Sequence, residues 1–300
     1  MKILISGASG LVGVALVNGL RADGHVTARL VRPGGHVSEG DVRWDPSSAM
    51  IDTASIEGAD VVVHLSGASI ADGRWTSARK ALLRSSRVDS TRLLVDALAR
   101  LRRKPSVLIC ASATGYYGDR GDAILTEGSD HGTDFLALLA RDWEGEAARA
   151  SAAGIRTVLL RFGIVLDAGG GALPKMLLPF RFGVGGRIGS GKQWMPWIAL
   201  KDAVGIVRAA IADERYSGPI NTVAPNAVRN AEFTGIVARV LHRPAVFAAP
   251  AFVLRAALGE MARPLVLAST RAIPQRLGQL GYSFRFAELE GALRAILNRK

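Results

Sequence analysis

Short apolar runs alternate with longer helical patterns along the first half of the chain, and this alternation limits the fold more than any other feature. The runs are rich in Val, Ile and Leu and cover residues 2–6, 26–31, 60–65, 107–111 and 156–162. The main helical patterns among them cover residues 11–22, 76–101 and 135–153. Strands that are apolar along their whole length are typical of a parallel sheet with helices on both faces. We therefore predict an α/β fold with a doubly wound parallel sheet.

The composition changes after Gly163. Residues 167–193 are rich in glycine, and long irregular segments of this kind are usually lids or binding loops. A chain of 300 residues corresponds to about two domains. We predict a main domain over 1–166, to which a strand near 219–223 returns, and a smaller C-terminal lobe over 167–300.

The chain carries 38 basic and 26 acidic residues, which gives a formal net charge of +12. Such an excess attracts nucleic acid, an anionic membrane or a phosphorylated small molecule. The basic residues are dispersed, however, and the densest run, at 100–104, lies at a predicted helix end where cations are favoured anyway. We therefore expect a small-molecule substrate or ligand as the partner, and neither nucleic acid nor a membrane.

The Cys and His residues argue against disulfide-linked and metal-binding proteins. Cys110 is the single cysteine and lies in an apolar run, so we expect a buried side chain and no disulfide framework. The five His residues show no metal-binding spacing. No apolar run is long enough to span a membrane, and the apolar start stops at Ser6 and Gly7, too early for a signal peptide. These features predict a soluble cytoplasmic protein without a metal site.

Three glycines, Gly7, Gly10 and Gly13, follow the first apolar run where the first predicted helix begins. Glycines at this place allow a tight turn and the close approach of a pyrophosphate, and the helix N-terminus offers free N–H groups and a partial positive charge. The alternative is a tight turn that binds no ligand. We predict a dinucleotide-binding loop whose contacts come from Gly7, Ser9, Gly10, Leu11, Val12 and Gly13.

The end of the second apolar run indicates which dinucleotide binds. An acidic residue at this place holds the ribose hydroxyls of NAD, but this chain has Val31 and Arg32. The planar, permanently charged guanidinium group of Arg32 matches the 2′-phosphate of NADP. We therefore predict NADP(H) as the cofactor, and the alternative for Arg32 is an ordinary surface arginine.

Further motifs extend over nearly the whole chain. They include LSGA at 65–68, ASATGYYG at 111–118, LRFGIVL at 160–166 and PQRL at 274–277. With these motifs the chain resembles the extended short-chain dehydrogenase/reductase superfamily, and within it an atypical branch of NAD(P)-dependent epimerase-family proteins with a C-terminal domain of unknown function. The resemblance implies a Rossmann domain with a smaller C-terminal substrate lobe, and NADP(H) binding. It implies no known substrate.

The resemblance also implies further cofactor contacts. Leu65 and Ser66 would line the adenine–ribose side, and Arg87 and Ile164 would lie near the cofactor. Outside the glycine loop, the predicted contacts are Val31, Arg32, Leu65, Ser66, Gly67, Arg87 and Ile164. Many superfamily members form a homodimer through two helices, here those predicted over 76–101 and 134–153, but the surface pattern of these helices leaves a homodimer open.

The catalytic residues of the superfamily are only partly present. Its members use a Ser after the fifth strand and, about 25 residues later, a Tyr and a Lys spaced YxxxK, in which the Tyr is the acid and base. Ser112 follows the apolar run at 107–111, where the resemblance places this Ser, but Leu136 and Ala140 occupy the two places of the Tyr–Lys pair. An isobutyl group cannot transfer a proton, so this departure puts the usual chemistry in doubt.

Two tyrosines, Tyr116 and Tyr117, lie just beyond Ser112 and are candidate replacements for the missing acid. Either would need a cation, Arg87 or Arg161, to stabilise its phenolate. The alternative is that both are packing or substrate-shaping aromatics. For Ser112 the alternatives are a hydrogen-bond donor to the substrate and a purely structural cap.

The glycine-rich segment supplies candidate substrate contacts. Gln193, Trp194 and Trp197 suit an aromatic or sugar-like ligand, although each is also a candidate for packing. Cations for an acidic group of the substrate are available at Arg181, Arg187 and Lys192. The sequence favours an NADP(H)-binding oxidoreductase or epimerase-like enzyme that acts on an unidentified small molecule. The alternative is a catalytically silent NADP(H)-binding sensor or scaffold protein.

Overall fold

The computed structural model describes residues 1–299. Its strands, in chain order, are β1 (Lys2–Ser6), β2 (Val26–Val31), β3 (Val42–Asp45), β4 (Met50–Ile51), β5 (Val61–His64), β6 (Val107–Ala113), β7 (Ile124–Leu125), β8 (Arg156–Phe162), β9 (Ile164–Asp167), β10 (Gly170–Gly171), β11 (Gly186–Ile188), β12 (Trp194–Met195), β13 (Trp197–Ala199), β14 (Gly218–Thr222), β15 (Val228–Arg229), β16 (Phe247–Ala249) and β17 (Arg271–Ala272). Its α-helices are α1 (Leu11–Ala22), α2 (Thr53–Ile56), α3 (Ser77–Arg84), α4 (Ser90–Arg100), α5 (Phe135–Ala148), α6 (Leu173–Arg181), α7 (Leu200–Ala212), α8 (Asn230–Leu241), α9 (Ala251–Leu258), α10 (Gln275–Gln279) and α11 (Leu289–Ile296).

Within the described residues, eight strands form one sheet in the order β14-β8-β6-β5-β1-β2-β3-β4. Neighbouring strands are parallel except β3 and β4, which are antiparallel. From β1 the chain adds β2, β3 and β4 on one side of the sheet. It then adds β5, β6, β8 and β14 on the other side. This reversal opens a crevice at the carboxyl ends of β1 and β5, where ligands of such sheets bind. The predicted doubly wound parallel sheet is confirmed.

Strand β5 shows why the sheet is apolar along its strands. Alternate residues of a strand point to opposite faces. Val61 and Val63 are buried on one face together with Leu16 of α1, while Val62 is buried on the other face together with Leu94 of α4. Because helices cover both faces, every position of the strand is buried.

The helix predicted over 76–101 is interrupted. It divides into α3 and α4 around one π-helical turn, Ser85–Asp89. In this region the hydroxyl of Ser90 donates to the carbonyl of Ser86 at 2.8 Å, and that of Thr91 donates to the carbonyl of Arg87 at 2.5 Å. Side-chain hydrogen bonds of this kind compete with the regular helical pattern.

The C-terminal half forms a second, smaller core. Helices α6, α8 and α11 pack around buried residues that include Leu177, Trp197, Val237 and Leu293. Strand β14, in contrast, leaves this half and pairs with β8 in the main sheet. The boundary at residue 166 between two domains stays a prediction. Over the part of the chain that the structure describes, no helix has the length and apolar character needed to cross a bilayer.

Candidate functional site

The glycine loop joins β1 to α1 at the carboxyl edge of the sheet, and its backbone is closely packed. Gly7 has a φ of +70°, and its carbonyl accepts a hydrogen bond from the N–H of Gly10 at 3.0 Å. A Cβ on Gly13 would lie 2.2 Å from the carbonyl oxygen of Gly7, so only glycine fits there. Within residues 1–299, no side chain caps the N-terminus of α1, whose N-cap residue is Gly10. Its first N–H groups are therefore available to an anion.

The segment after β5 lies directly against this loop. The N–H of Leu65 donates to the carbonyl of Ser6 at 3.2 Å, and a Cβ on Gly7 would lie 2.7 Å from the carbonyl of Leu65. Leu65 and Ser66 are half-buried, and Gly67 is exposed. The structure thus brings the predicted contacts after β1 and after β5 to one crevice.

Arg87 is buried beside Gly67, on the π-helical turn. It donates to the carbonyls of Leu83 at 3.3 Å and Ala68 at 3.0 Å, and its guanidinium lies 5.3 Å from the ring centre of Trp143. Among residues 1–299 no carboxylate forms an ion pair with it. Burial, helped by the nearby charge of Arg79, lowers the pKa of Arg87 to about 10, so the group is still charged at neutral pH.

Arg32 is exposed immediately after β2, and within residues 1–299 its side chain has no ion pair. A second arginine accompanies it, because Arg43 of β3 pairs in register with Val31 and is also exposed. The carboxylate of Asp41, which directly precedes β3, forms an ion pair with Arg29. The sequence pattern does not indicate Arg43, because the position of this residue near the end of β2 depends on the pairing of β3 with β2.

Ser112 lies in a buried polar network at the end of β6. Its hydroxyl donates to Oε1 of Glu144 at 2.6 Å, and the same carboxylate accepts two hydrogen bonds of 2.8 Å from Arg161. Ser112 and Arg161 are neighbours in the register of β6 and β8. Burial opposes the charge of Arg161, but the hydrogen bonds and charge of Glu144 outweigh it and raise the pKa of the guanidinium. The proton of Ser112 is thus directed to Glu144.

The two tyrosines after Ser112 differ in exposure. Tyr117 is fully buried, donates to Oδ1 of Asn221 at 2.6 Å and accepts from Arg161 at 2.9 Å. Burial raises the pKa of Tyr117 to about 12, so its hydroxyl stays protonated near neutral pH. Tyr116 is half-buried, and the guanidinium of Arg161 lies 3.6 Å from its ring centre.

The two places of the missing Tyr–Lys pair lie in the interior. Leu136 and Ala140 of α5 are 8% and 5% exposed. Leu136 lies beside the turn that carries Tyr116, since a Cβ on Gly115 would lie 3.6 Å from the Cβ of Leu136. Apolar side chains that pack in the interior therefore occupy both of these places.

The predicted substrate residues separate in the structure. Trp197 is 1% exposed in the core of the second lobe and donates its indole N–H to the carbonyl of Asn226 at 3.0 Å. Trp194 is half-buried on β12, with the guanidinium groups of Arg229 and Arg271 at 4.7 and 4.4 Å from its ring. Gln193 lines a cavity beside it. Arg181, Arg187 and Lys192 are all exposed.

The chain is similar to known proteins over nearly its full length. Residues 3–223 match the NAD dependent epimerase/dehydratase family, and residues 249–296 match a domain of unknown function, DUF1731. An epimerase family protein of Mycobacterium leprae is 41% identical over 291 residues, which cover 97% of this chain and 94% of the relative.

Two solved structures share the fold. The human epimerase family protein SDR39U1, crystallised with NADPH, superposes with a TM-score of 0.91 at 33% identity and 99% coverage of both chains. A nucleoside-diphosphate sugar epimerase from Corynebacterium glutamicum superposes with a TM-score of 0.82 at 38% identity, and 99% of this chain spans 58% of that one. Together with the Rossmann-type sheet and its glycine loop, these matches show that the chain belongs to the NAD-dependent epimerase/dehydratase family.

Proposed function

We propose that the chain is an NADP(H)-dependent oxidoreductase or epimerase-like enzyme that acts on an unidentified small molecule. The observation that carries the proposal is the uncapped N-terminus of α1, which lies behind a glycine loop with no room for a Cβ at Gly13. This arrangement fits a pyrophosphate. The NADPH found with the human relative supports the same cofactor.

The residues of the crevice fit each part of the cofactor. The glycine loop, with Ser9, Leu11 and Val12 around it, would hold the pyrophosphate. Arg32 and Arg43, which form no ion pair within residues 1–299, offer two cations to a 2′-phosphate. Leu65, Ser66 and Gly67 would border the adenosine. Ile164, at the start of β9, would lie towards the other end of the cofactor.

NADPH, when bound, supplies a hydride to the substrate, so a proton must come from the protein or from water. Of the three candidates, Ser112 directs its proton to Glu144, and Tyr117 donates to Asn221 in the interior. Tyr116 is the more exposed phenol, beside the charge of Arg161. We therefore assign proton transfer to Tyr116, and to Ser112 the role of positioning Glu144 and Arg161.

The competing proposal is an NADP(H)-binding sensor or scaffold without catalysis. The observation in its favour is the buried apolar pair Leu136 and Ala140 in the places of the usual Tyr and Lys. The two proposals share the cofactor and differ in turnover. A homodimer and the division into a cofactor domain over 1–166 and a substrate lobe over 167–300 are parts of either proposal.

One experiment separates these proposals. NADPH binding is measured by fluorescence titration, and oxidation of NADPH is then followed with a panel of aldehydes and ketones. We expect binding and slow turnover of some member, and we expect Tyr116→Phe to lower kcat by roughly 100-fold or more without changing NADPH affinity.

The matched variant Tyr117→Phe should instead lower the free energy of unfolding, because it leaves Asn221 and Arg161 short of a buried partner. Binding without any turnover favours the sensor, and no binding contradicts both proposals.

A further inference from the structure

An apolar cluster joins the main sheet to the second lobe. Its buried members include Cys110 of β6, Leu136 of α5 and Leu159 of β8, together with Met261 from the second lobe. Half-buried apolar side chains pack against this cluster, and part of their surface stays accessible to a ligand. We call them the apolar wall, and they are Leu65, Ala68, Ile70, Phe135, Phe162, Leu258 and Leu265.

The apolar wall borders both the glycine loop and the proposed proton donor. Leu65 directly follows β5 and lies against Gly7. Phe162 ends β8, is paired in register with Ala113, and its carbonyl accepts from the hydroxyl of Thr114 at 3.3 Å. Thr114 begins the short turn that carries Tyr116. A molecule in contact with the wall is therefore close to the carboxyl edge of the sheet, where the cofactor is proposed to bind.

Polar contacts hold the second lobe against the main domain at this place. Arg74 donates to the carbonyls of the last turn of α9, at residues 256 and 257, with distances of 3.4 and 3.2 Å. Lys80 donates to Oε1 of Glu260 at 2.6 Å. These contacts lie on both sides of Leu258 in the sequence. A polar rim around an apolar centre is the usual arrangement of a contact surface that excludes water.

Polar side chains beside the apolar wall bond to the protein itself. Trp75, Ser86 and Arg87 donate to backbone carbonyls at 3.0, 3.2 and 3.0 Å. Ser112 donates to a buried carboxylate. In contrast, the hydroxyl of Tyr116 has no hydrogen-bond partner among residues 1–299. The site thus combines an apolar surface with one available phenol.

We propose that the substrate is an aldehyde or ketone with an apolar alkyl or aryl body, which the apolar wall binds while Tyr116 donates to the carbonyl oxygen. This assignment rests on the proposed function. The carbonyl carbon accepts the hydride and the oxygen takes the proton of Tyr116, so that an alcohol and NADP⁺ result and Tyr116 regains a proton from water. A polyhydroxylated substrate fits poorly, because each buried hydroxyl that loses water without a new partner costs free energy.

A series of straight-chain aldehydes tests the proposal on the full chain saturated with NADPH. The series runs from propanal through butanal and pentanal to hexanal. Each methylene buried against the wall should raise kcat/KM about three- to fourfold, which gives roughly 30-fold or more from propanal to hexanal. Glyceraldehyde, which is propanal with two added hydroxyls, should be a poorer substrate than propanal.

Two double variants locate the preference for long chains. Leu258→Asn/Leu265→Asn makes the second-lobe part of the apolar wall polar. The control Leu241→Asn/Leu297→Asn changes two half-buried leucines that pack against the other core of the same lobe. We expect the ratio of kcat/KM for hexanal to that for propanal to fall about tenfold in the wall variant and to stay within about twofold in the control. A loss of folded protein does not alter this ratio.

Binding of the product alcohols provides a measurement that needs no turnover. Hexan-1-ol and propan-1-ol are titrated by isothermal calorimetry into the chain saturated with NADP⁺, and we expect hexan-1-ol to bind roughly 30-fold more tightly or better. Equal affinities for the two alcohols, a preference for glyceraldehyde over hexanal, or an equal change of the ratio in both double variants would overturn the assignment. Length-dependent alcohol binding without turnover would support the wall and contradict only catalysis. Failure to bind NADPH would contradict the proposed function and this assignment with it.

Discussion

Close contacts between backbone atoms determine which residue types can occupy the positions of the glycine loop. In Gly13→Ala the new Cβ would lie 2.2 Å from the carbonyl oxygen of Gly7, so the loop must shift. We expect the free energy of unfolding to fall by about 1–3 kcal/mol and NADPH affinity to fall about tenfold or more. Urea denaturation and NADPH titration measure the two effects.

Gly19 provides a matched control in the same helix. A Cβ there meets its nearest atoms, in Val204 and Arg208, only at 4.0 Å. Alanine favours a helix over glycine by up to about 1 kcal/mol, so Gly19→Ala should be neutral or stabilising, with unchanged NADPH affinity. If both variants lose affinity equally, close packing of the loop is not the reason for its glycines.

Arg32 should decide between the two dinucleotides. Hydrogen bonds to charged groups contribute about 1.5–3 kcal/mol, and about 1.4 kcal/mol corresponds to a factor of ten. We therefore expect Arg32→Gln to raise the dissociation constant of NADPH about tenfold or more and to leave that of NADH unchanged. Arg43→Gln should act in the same direction with a smaller effect, because the residue lies one strand further from the crevice.

Arg100→Gln is the control for charge alone. Arg100 ends α4 near the start of β6, at the amino edge of the sheet, and is exposed. An equal loss of NADPH and NADH affinity in Arg32→Gln would show that the group does not recognise the 2′-phosphate.

The candidate site could be predicted from sequence only where neighbouring residues build it. The glycine loop and Arg32 are local in sequence and follow directly from a strand, a turn and a helix. The hydrogen bond from Ser112 to Glu144 spans 32 residues, and that from Tyr117 to Asn221 spans 104. Such hydrogen bonds depend on which helix packs on which strand, so no motif with a fixed residue spacing predicts them.

At the scale of the elements, the ion pair between Glu144 of α5 and Arg161 of β8 stabilises the packing of α5 against the sheet. Both side chains are buried, 8% and 4% exposed, and the carboxylate also accepts from Ser112. Removal of one partner from a buried pair leaves the other charge unbalanced, which costs about 3–5 kcal/mol. We expect Glu144→Gln to lower the free energy of unfolding by this amount, as measured by urea denaturation.

Glu146→Gln is the control on the same helix. Glu146 forms ion pairs with Arg92 and Arg149, whose side chains are about half exposed. Such surface pairs contribute about 0–1 kcal/mol each, so this variant should be much less affected. Equal destabilisation of the two variants would mean that burial does not set the contribution of the Glu144 pair.

Regular elements were predictable, and their interruptions were not. The apolar runs correspond to β1, β2, β5, β6 and β8, because strands in a sheet that is covered by helices on both faces are mostly apolar. The π-helical turn at Ser85–Asp89 depends on hydroxyl groups that bond to the backbone, which hydrophobic periodicity does not register. Helix α9 has an apolar sequence but no buried residue, so its pattern alone would have suggested a core helix.

At the scale of the whole molecule, the doubly wound form of the sheet follows from general rules, whereas the position of the second lobe does not. Right-handed crossovers and helices on both faces restrict a β–α alternation to a doubly wound sheet. The return of a strand near 219–223 to the main sheet is predicted from the sequence, and β14 indeed pairs with β8 although more than fifty residues separate the two strands. The net charge of +12 is likewise dispersed, with arginines engaged in surface ion pairs on several helices.

The stability of the whole chain should depend on pH through one buried histidine. His64, at the end of β5, is fully buried between the hydroxyls of Ser6 at 2.6 Å and Thr91 at 2.9 Å. The Thr91 hydroxyl donates to the carbonyl of Arg87, so it accepts from Nε2 of the neutral ring, and the Ser6 hydroxyl donates to Nδ1. Burial lowers the pKa of His64 from 6.5 to about 4.

A lowered pKa means that the unfolded chain binds this proton first as the pH falls. The contribution of neutral His64 to the free energy of unfolding is therefore fully present above pH 6.5. It decreases between pH 6.5 and 4 and does not change further below pH 4. The loss amounts to about 3 kcal/mol.

We expect the free energy of unfolding, measured by urea denaturation at a series of pH values, to fall by this amount in the wild type. His64→Gln has no proton to bind, so its curve should be flatter in the same range, whatever its stability at pH 7. Parallel curves for the two proteins would exclude His64 as the source of the pH dependence.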